Sequence, residues 1–309
     1  MRTLFLSHPR YRDHLAPPNH PEQPERIAAI EQRLEGEAFQ HLIRDLARPV
    51  TDEEIQRVHP AAYVDHIRIQ APHDGLMSIS NDTILSNGTY EAARLAAGAA
   101  CLAVDEVMTG LVDNAFSAAR PPGHHASARH AMGFCFFNHA AVAARHAQAA
   151  HGAERVAIVD FDVHHGNGTQ NIFQADATVF YASIHQAQLF PGTGEASETG
   201  AAGNILNVPL NAGANGAVAL AAFNDRILPA VAAFRPDLLV LSAGFDAHFR
   251  DPLADLNFVE GDYAVLTRAL MEVADRVCGG RIVSLLEGGY DIDALGLSAA
   301  AHVSALMGH

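Results

Sequence analysis

The chain has 309 residues, 49% of them hydrophobic, and a formal net charge of −15. That size allows one large α/β domain or two ordinary ones, with apolar residues enough for a substantial core. The acidic balance excludes the usual nucleic-acid binder, whose phosphate contacts need clustered Lys and Arg, and three cysteines without a CxxC spacing speak against a disulfide framework. The N-terminus MRTLFLSHPRYRDH lacks the apolar segment of a signal peptide, and the Ala-rich stretch 92–104 is short and carries Arg94. The expectation is a cytoplasmic protein with no membrane or nucleic-acid partner, its oligomeric state left open. With no linker, repeat or low-complexity tract, residues 1–309 are expected to form a single domain.

In chain order, PEQPERIAAIEQRL places Ile27, Ile30 and Leu34 at helical spacing behind prolines. TDEE at 51–54 reads as a capping box, with the Thr51 hydroxyl accepting from the Glu54 amide. A long helix is predicted from about Tyr90 to Met108, stopping at Gly110. After it the pattern alternates. NAFSAAR (114–120) is a strand and NHAAVAARHAQAA a helix; RVAIVDF, TVFYASIH (178–185) and NILNVPL (204–210) are strands. A helix over about 217–234 leads into DLLVLSAGF (237–245), another over 262–277 into RIVSLLEGG (281–289), and a final helix closes the chain. The apolar runs are short, β-branched and continuous, as in strands buried on both faces. The fold class is therefore α/β, one doubly wound domain with a mostly parallel sheet and helices on both faces.

The polar residues cluster where these strands end: RPPGHH (120–125), DFDVHHGNG (160–168), SIH, AGFDAH (243–248) and LEGGY (286–290). In a parallel sheet those ends share one edge, where open α/β proteins bind ligands. Along an extended segment Asp160, Asp162 and His164 share a face. Asp162 and His164, with Asp246 from a neighbouring strand, supply two oxygens and a nitrogen, and three protein ligands with a vacant position describe a catalytic zinc site. His124 and His125 form a proton-handling pair that Asp160 and Asn167 can orient. Tyr290, reached past Gly288 and Gly289, can donate to a developing oxyanion. One such residue alone is usually a satisfied structural group; so many at one sheet edge are too costly to leave unpaired. Together they describe metal-assisted attack of water on a carbonyl.

RPPGHHA, GFCFFN, VDFDVHHGNGTQ, FPGTG, SAGFDAH-x-x-DPL and LEGGY, in this order and spacing, resemble the histone deacetylase family, with HHGNG and SAGFDAH closest to its class II branch and the bacterial deacetylase-like amidohydrolases. The resemblance runs from about residue 20 to LEGGY. It implies an arginase/deacetylase fold with about eight strands, one Zn2+ per chain on Asp162, His164 and Asp246, and removal of acyl groups from amines. It implies that His125 is general base and then acid, that His124 is its electrostatic partner bonded to Asp160, and that Tyr290 polarises the amide. Asn167 stands where other branches carry Asp. Bound K+ is implied at an inner site of Asp160, Asp162, His164, Ser183 and Ile184, and at an outer site near Phe173, Asp176 and Val179. Phe134 and Phe190 would wall a substrate tunnel, with Gly133 and Gly288 close by and Asp82 at the rim.

Leu253, in RDPLAD, stands where polyamine deacetylases of this family carry a gatekeeper glutamate that pairs with the substrate's second amine. Leucine cannot form that pair. The expected partner is an acylated lysine peptide or protein, or another small acylated amine, with acetylpolyamines as the alternative. An arginase-type hydrolase with two manganese ions, or a catalytically silent acyl-lysine binder, are the further competitors.

Overall fold

The computed structural model describes residues 1–309. Its strands, in chain order, are β1 (Thr3–Ser7), β2 (Ile43–Leu46), β3 (Leu76–Ser78), β4 (Ile84–Ser86) and β5 (Asn114–Ser117), then β6 (Val156–Asp160), β7 (Val179–Gln186), β8 (Ile205–Leu210), β9 (Leu238–Ala243) and β10 (Ile282–Leu286). Strands β3 and β4 form a separate antiparallel hairpin. The other eight make one sheet in the order β2-β1-β5-β10-β9-β6-β7-β8, parallel throughout. The fold is the α/β architecture that the strand pattern predicts. Every residue of β5, β6, β7, β9 and β10 is buried, which is why those runs show no polar alternation.

The helices are α1 (Glu25–Leu34), α2 (Asp52–Gln56), α3 (Ala61–Gln70), α4 (Thr89–Met108), α5 (His139–His151), α6 (Asn167–Phe173), α7 (Gly216–Ala222), α8 (Leu228–Phe234), α9 (Glu260–Cys278) and α10 (Ile292–Leu306). Helices α4 and α5 pack together on one face of the sheet, and α1, α9 and α10 on the other. One cluster of 86 buried residues runs through both interfaces. The capping box at Thr51–Glu54 forms in both directions. Asn138 caps α5 through the Ala141 amide, as the sequence FFNHAAV suggests.

Two expectations need correction. Strands β1 and β2 and the β3–β4 hairpin were not anticipated; all four β2 residues are exposed, so its sequence IRDL carries no burial signal. The helix expected over 217–234 is interrupted by a π-helical turn at Phe223–Ile227. That same segment, Gly216–Phe234, is long and apolar enough by length and composition to cross a membrane, but Asn224, Asp225 and Arg226 break its apolar run. Its buried residues Ala219, Phe223, Ile227 and Val231 recur every fourth position, and Asp225 and Arg226 are exposed, so it is a one-faced helix packed on the protein.

Candidate active site

Strands β5, β10, β9, β6 and β7 are consecutive in the sheet, and their C-terminal ends deliver the five polar clusters to one edge. Strand β6 ends at Asp160, and residues 162–164 follow in bends, so the extended i, i+2 geometry anticipated for 160–164 does not hold. What aligns the side chains instead is local bonding of carboxylates to amides two residues on: Asp160 Oδ1 accepts from Asp162 N at 3.1 Å, and Asp162 Oδ1 from His164 N at 2.9 Å. The convergence nonetheless occurs. His164 Nδ1 lies 3.1 Å from both Asp162 Oδ1 and Asp246 Oδ2, and the three donor atoms fall within 4.8 Å of one another.

The remaining carboxylate oxygens are held by the backbone. Asp162 Oδ2 accepts from Gly288 N at 2.7 Å and Asp246 Oδ1 from Val163 N at 2.9 Å. A Cβ on Gly288 or Gly244 would run into these carboxylates, which is why glycine occupies both positions. Asp162 and Asp246 are fully buried, and one imidazole proton cannot serve both. Burial works against a charge on His164, but hydrogen bonds to Asp162 and Asp246 outweigh it and raise the ring to about 10. Two buried carboxylates aimed at one imidazole nitrogen are a donor set that suits a divalent cation.

The histidine pair lies beside this cluster, with ring centroids 4.0 Å apart. His124 Nδ1 is 3.0 Å from Asp160 Oδ2, which also accepts from the Tyr181 hydroxyl at 3.0 Å. Burial opposes a charge on His124, yet Asp162, Asp160 and Glu287 hold its pKa well above the usual histidine range. His125 behaves oppositely. Burial, then the positive charge of His124 and of His164, push it well below that range. Its Nδ1 meets Asn167 Oδ1 at 2.8 Å, which places the proton on Nδ1 and leaves Nε2 as a free base. The two imidazoles are thus driven to different protonation states.

A cavity of about 240 Å³ opens onto these groups, lined by Asp82, His125, Gly133, Phe134, His164, Leu189, Phe190, Leu253 and Tyr290. Phe190 stands 5.1 Å from the His125 ring and Phe134 5.9 Å from the Tyr290 ring. Gly133 has a positive φ of 56°, and a Cβ there would strike the His125 ring. Asp82 Oδ1 accepts from Ser80, Thr83 and Gly133 N, so it ties the hairpin to the cavity wall.

Ser183 pairs with Asp160 across β6 and β7, and its hydroxyl meets His185 Nδ1 at 2.9 Å; Ile184 follows it on β7. The carbonyls of Phe173, Asp176 and Val179, anticipated around an outer cation, lie 2.8, 3.0 and 2.9 Å from the side-chain nitrogen of Asn204.

Several participants had no role in the sequence reading. Leu189 is a cavity wall. Glu287 accepts the amides of Gly123 and His124 at 2.7 and 3.0 Å, and burial pushes it up to about 7. Asp251 accepts from Leu253 N and Tyr290 N, joining the cavity lip to the tyrosine. Arg26, fully buried, donates to the carbonyls of Gly289 and Glu287 and lies 4.9 Å over the Tyr290 ring. Glu22 bridges Arg26 to Arg120, which opens RPPGHH. Arg120 and Glu287 stand inside the recognised motifs, and that was the one available signal.

An all-parallel sheet that gathers a buried Asp2His donor set, two opposed histidines and a tyrosine at a narrow apolar cavity describes a hydrolytic centre. Residues 20–306 match the family model for the histone deacetylase domain, and the chain belongs to that family. It is 40% identical over 310 residues to histone deacetylase 14, chloroplastic, of Arabidopsis thaliana, covering 94% of this chain and 73% of that one. It is 44% identical over 248 residues to a histone deacetylase-like amidohydrolase of Pseudomonas aeruginosa, covering 79% and 65%. The crystal structure of the HDA15 HD domain superposes with a TM-score of 0.94 at 39% identity, over 100% of this chain and 88% of that one.

Proposed function

We propose that this chain hydrolyses the amide of an acylated amine, an acyl-lysine side chain foremost, and that Asp162, His164 and Asp246 hold a zinc ion for that purpose. The observation that carries the reading is the cavity itself. A narrow space walled by Phe134, Phe190, Leu189 and Leu253 ends on His125, His164 and Tyr290, which suits an aliphatic chain with a reactive carbonyl at its tip. Zinc, when bound, supplies Lewis acidity that polarises a carbonyl and acidifies water.

The protein's own groups do the rest. His125, neutral and with Nε2 free, removes a proton from the attacking water and returns it to the leaving amine. His124, kept protonated by Asp160, supplies positive charge beside the developing oxyanion. The Tyr290 hydroxyl, its pKa pushed well above the tyrosine range by burial, stays protonated and donates to that oxyanion. Asp82 retains Oδ2 for the substrate backbone at the rim. Asp160, with Asp162, the His164 carbonyl, Ser183 and Ile184, also serves an inner monovalent cation, a reading supported by the burial of Asp160 next to Ser183. Three free, buried cysteines suit a reducing compartment such as the cytoplasm.

Leu253 at the cavity lip has no charge for a second substrate amine, which favours acyl-lysine over acetylpolyamines. The test is turnover of an acetyl-lysine peptide, N-acetylputrescine and acetylspermidine, each with and without chelator, beside metal analysis. Chelator-sensitive preference for the peptide, with one zinc per chain, supports the reading. Preference for the polyamines overturns the substrate assignment. Two transition metals per chain, or zinc without turnover on any substrate, overturns the chemistry.

A further inference from the structure

Away from the cavity, the Asn204 side chain sits in an unusual setting. Its Nδ2 lies 2.8 Å from the Phe173 carbonyl, 3.0 Å from that of Asp176 and 2.9 Å from that of Val179. All three partners are acceptors, so the nitrogen end of the amide must face them. Two N–H groups are shared among three oxygens. At the other end, Oδ1 is buried without a partner and packs where a Cβ on Gly200 would fall.

The cage is braced by backbone hydrogen bonds. Its carbonyls come from the end of α6 and the turn into β7, where Phe173 O also takes Asp176 N and Asp176 O takes Val179 N. Asn204 is only 4% exposed, and its own carbonyl accepts from Tyr181 N at 2.9 Å, which fixes the backbone that carries the amide. Three carbonyl oxygens converging within about 3 Å of a point form part of the shell by which backbone replaces the water around a monovalent cation. Here a side-chain nitrogen stands at that point. Its two hydrogens carry partial positive charge, and no cation can share the position with it.

We propose that Asn204 is a built-in substitute for a monovalent cation: the amide fills a three-carbonyl cage that would otherwise bind one, so this chain takes no K+ there until Asn204 is removed. The same contacts fasten β8 to the C-terminal end of α6, whose first residue, Asn167, holds His125. The substitution therefore makes the seat of that helix independent of the salt around it. It concerns a site apart from the active centre and stands whether or not the proposed hydrolysis is right.

Crystals of the wild type and of Asn204→Ala are soaked in Tl+, whose anomalous signal reports K+ positions. The expected result is a Tl+ peak among the carbonyls of Phe173, Asp176 and Val179 in the variant and none in the wild type. In solution, with choline holding ionic strength constant, saturating K+ should raise the Tm of Asn204→Ala by about 3 °C or more beyond its effect on wild type, as a newly gained site requires. A Tl+ peak at the cage in wild type overturns the proposal, and this measurement needs no variant to fold. A folded Asn204→Ala with neither a Tl+ peak nor an added K+ response overturns it equally.

Discussion

Removing the Tyr290 hydroxyl alone isolates the proposed oxyanion contact, because the surroundings hold the ring without it. The ring is 8% exposed, packs edge-on to Phe134 at 5.9 Å and lies under Arg26 at 4.9 Å, while the Tyr290 amide donates to Asp251 at 2.7 Å. None of these contacts uses the phenolic oxygen, so Tyr290→Phe should keep the fold, the ring position and the bound metal. Loss of one preorganised donor to an oxyanion costs about 10²–10³ in kcat, or about 2.7–4 kcal/mol. The assay is steady-state kinetics on an acetyl-lysine peptide with zinc content measured on the same preparations. A fall in kcat of that size at unchanged KM and full zinc is the expected outcome, since the contact forms only in the transition state. A loss under about tenfold, which is about 1.4 kcal/mol, would remove Tyr290 from the chemistry.

Three other perturbations follow from the same geometry. Burial and the positive charge of His124 hold the His125 pKa well below the histidine range, and the base must be neutral, so the acid limb of kcat/KM belongs well below pH 6.5. A carboxylate in Asn167→Asp, placed at the 2.8 Å contact, stabilises the protonated ring; the limb should move to higher pH by at least about one unit, and an unmoved limb refutes the pairing. Leu253→Glu should raise acetylspermidine turnover relative to the acetyl-lysine peptide; an unchanged ratio of kcat/KM values would show that the lip does not select the amine. Arg26→Met leaves the buried carbonyls of Gly289 and Glu287 without their donor and should cost about 3–5 kcal/mol in urea denaturation, whereas a cost under about 1 kcal/mol would show that Arg120 alone secures Glu22.

What could be read from the sequence divides along a physical line. Asp162, His164, Asp246, the histidine pair and Tyr290 were legible because ionisable groups at the ends of fully buried strands are expensive, and their types already name a chemistry. The local geometry proposed for them was wrong: carboxylate-to-amide turns after Asp160, and not an extended strand, aim Asp162 and His164. The convergence survived that error because β6, β9 and β10 set where the segments meet, leaving the turns to settle only orientation.

The groups that hold these residues were silent for a different reason. Glu22 finds Arg120 98 positions away and Arg26 reaches Gly289 across 263, separations that no window or periodicity can register. Their partners, moreover, are largely backbone carbonyls and amides, which every residue offers, so the sequence at the far end records nothing of the contact. Asn204 is the limiting case. Its three partners are all main-chain oxygens, the same three that the resemblance set around an outer cation. A motif preserves the side chains that chemistry demands. A cage made of backbone carbonyls can be met by a single side-chain amide from the residue just before β8, and such a contact leaves no pattern to read.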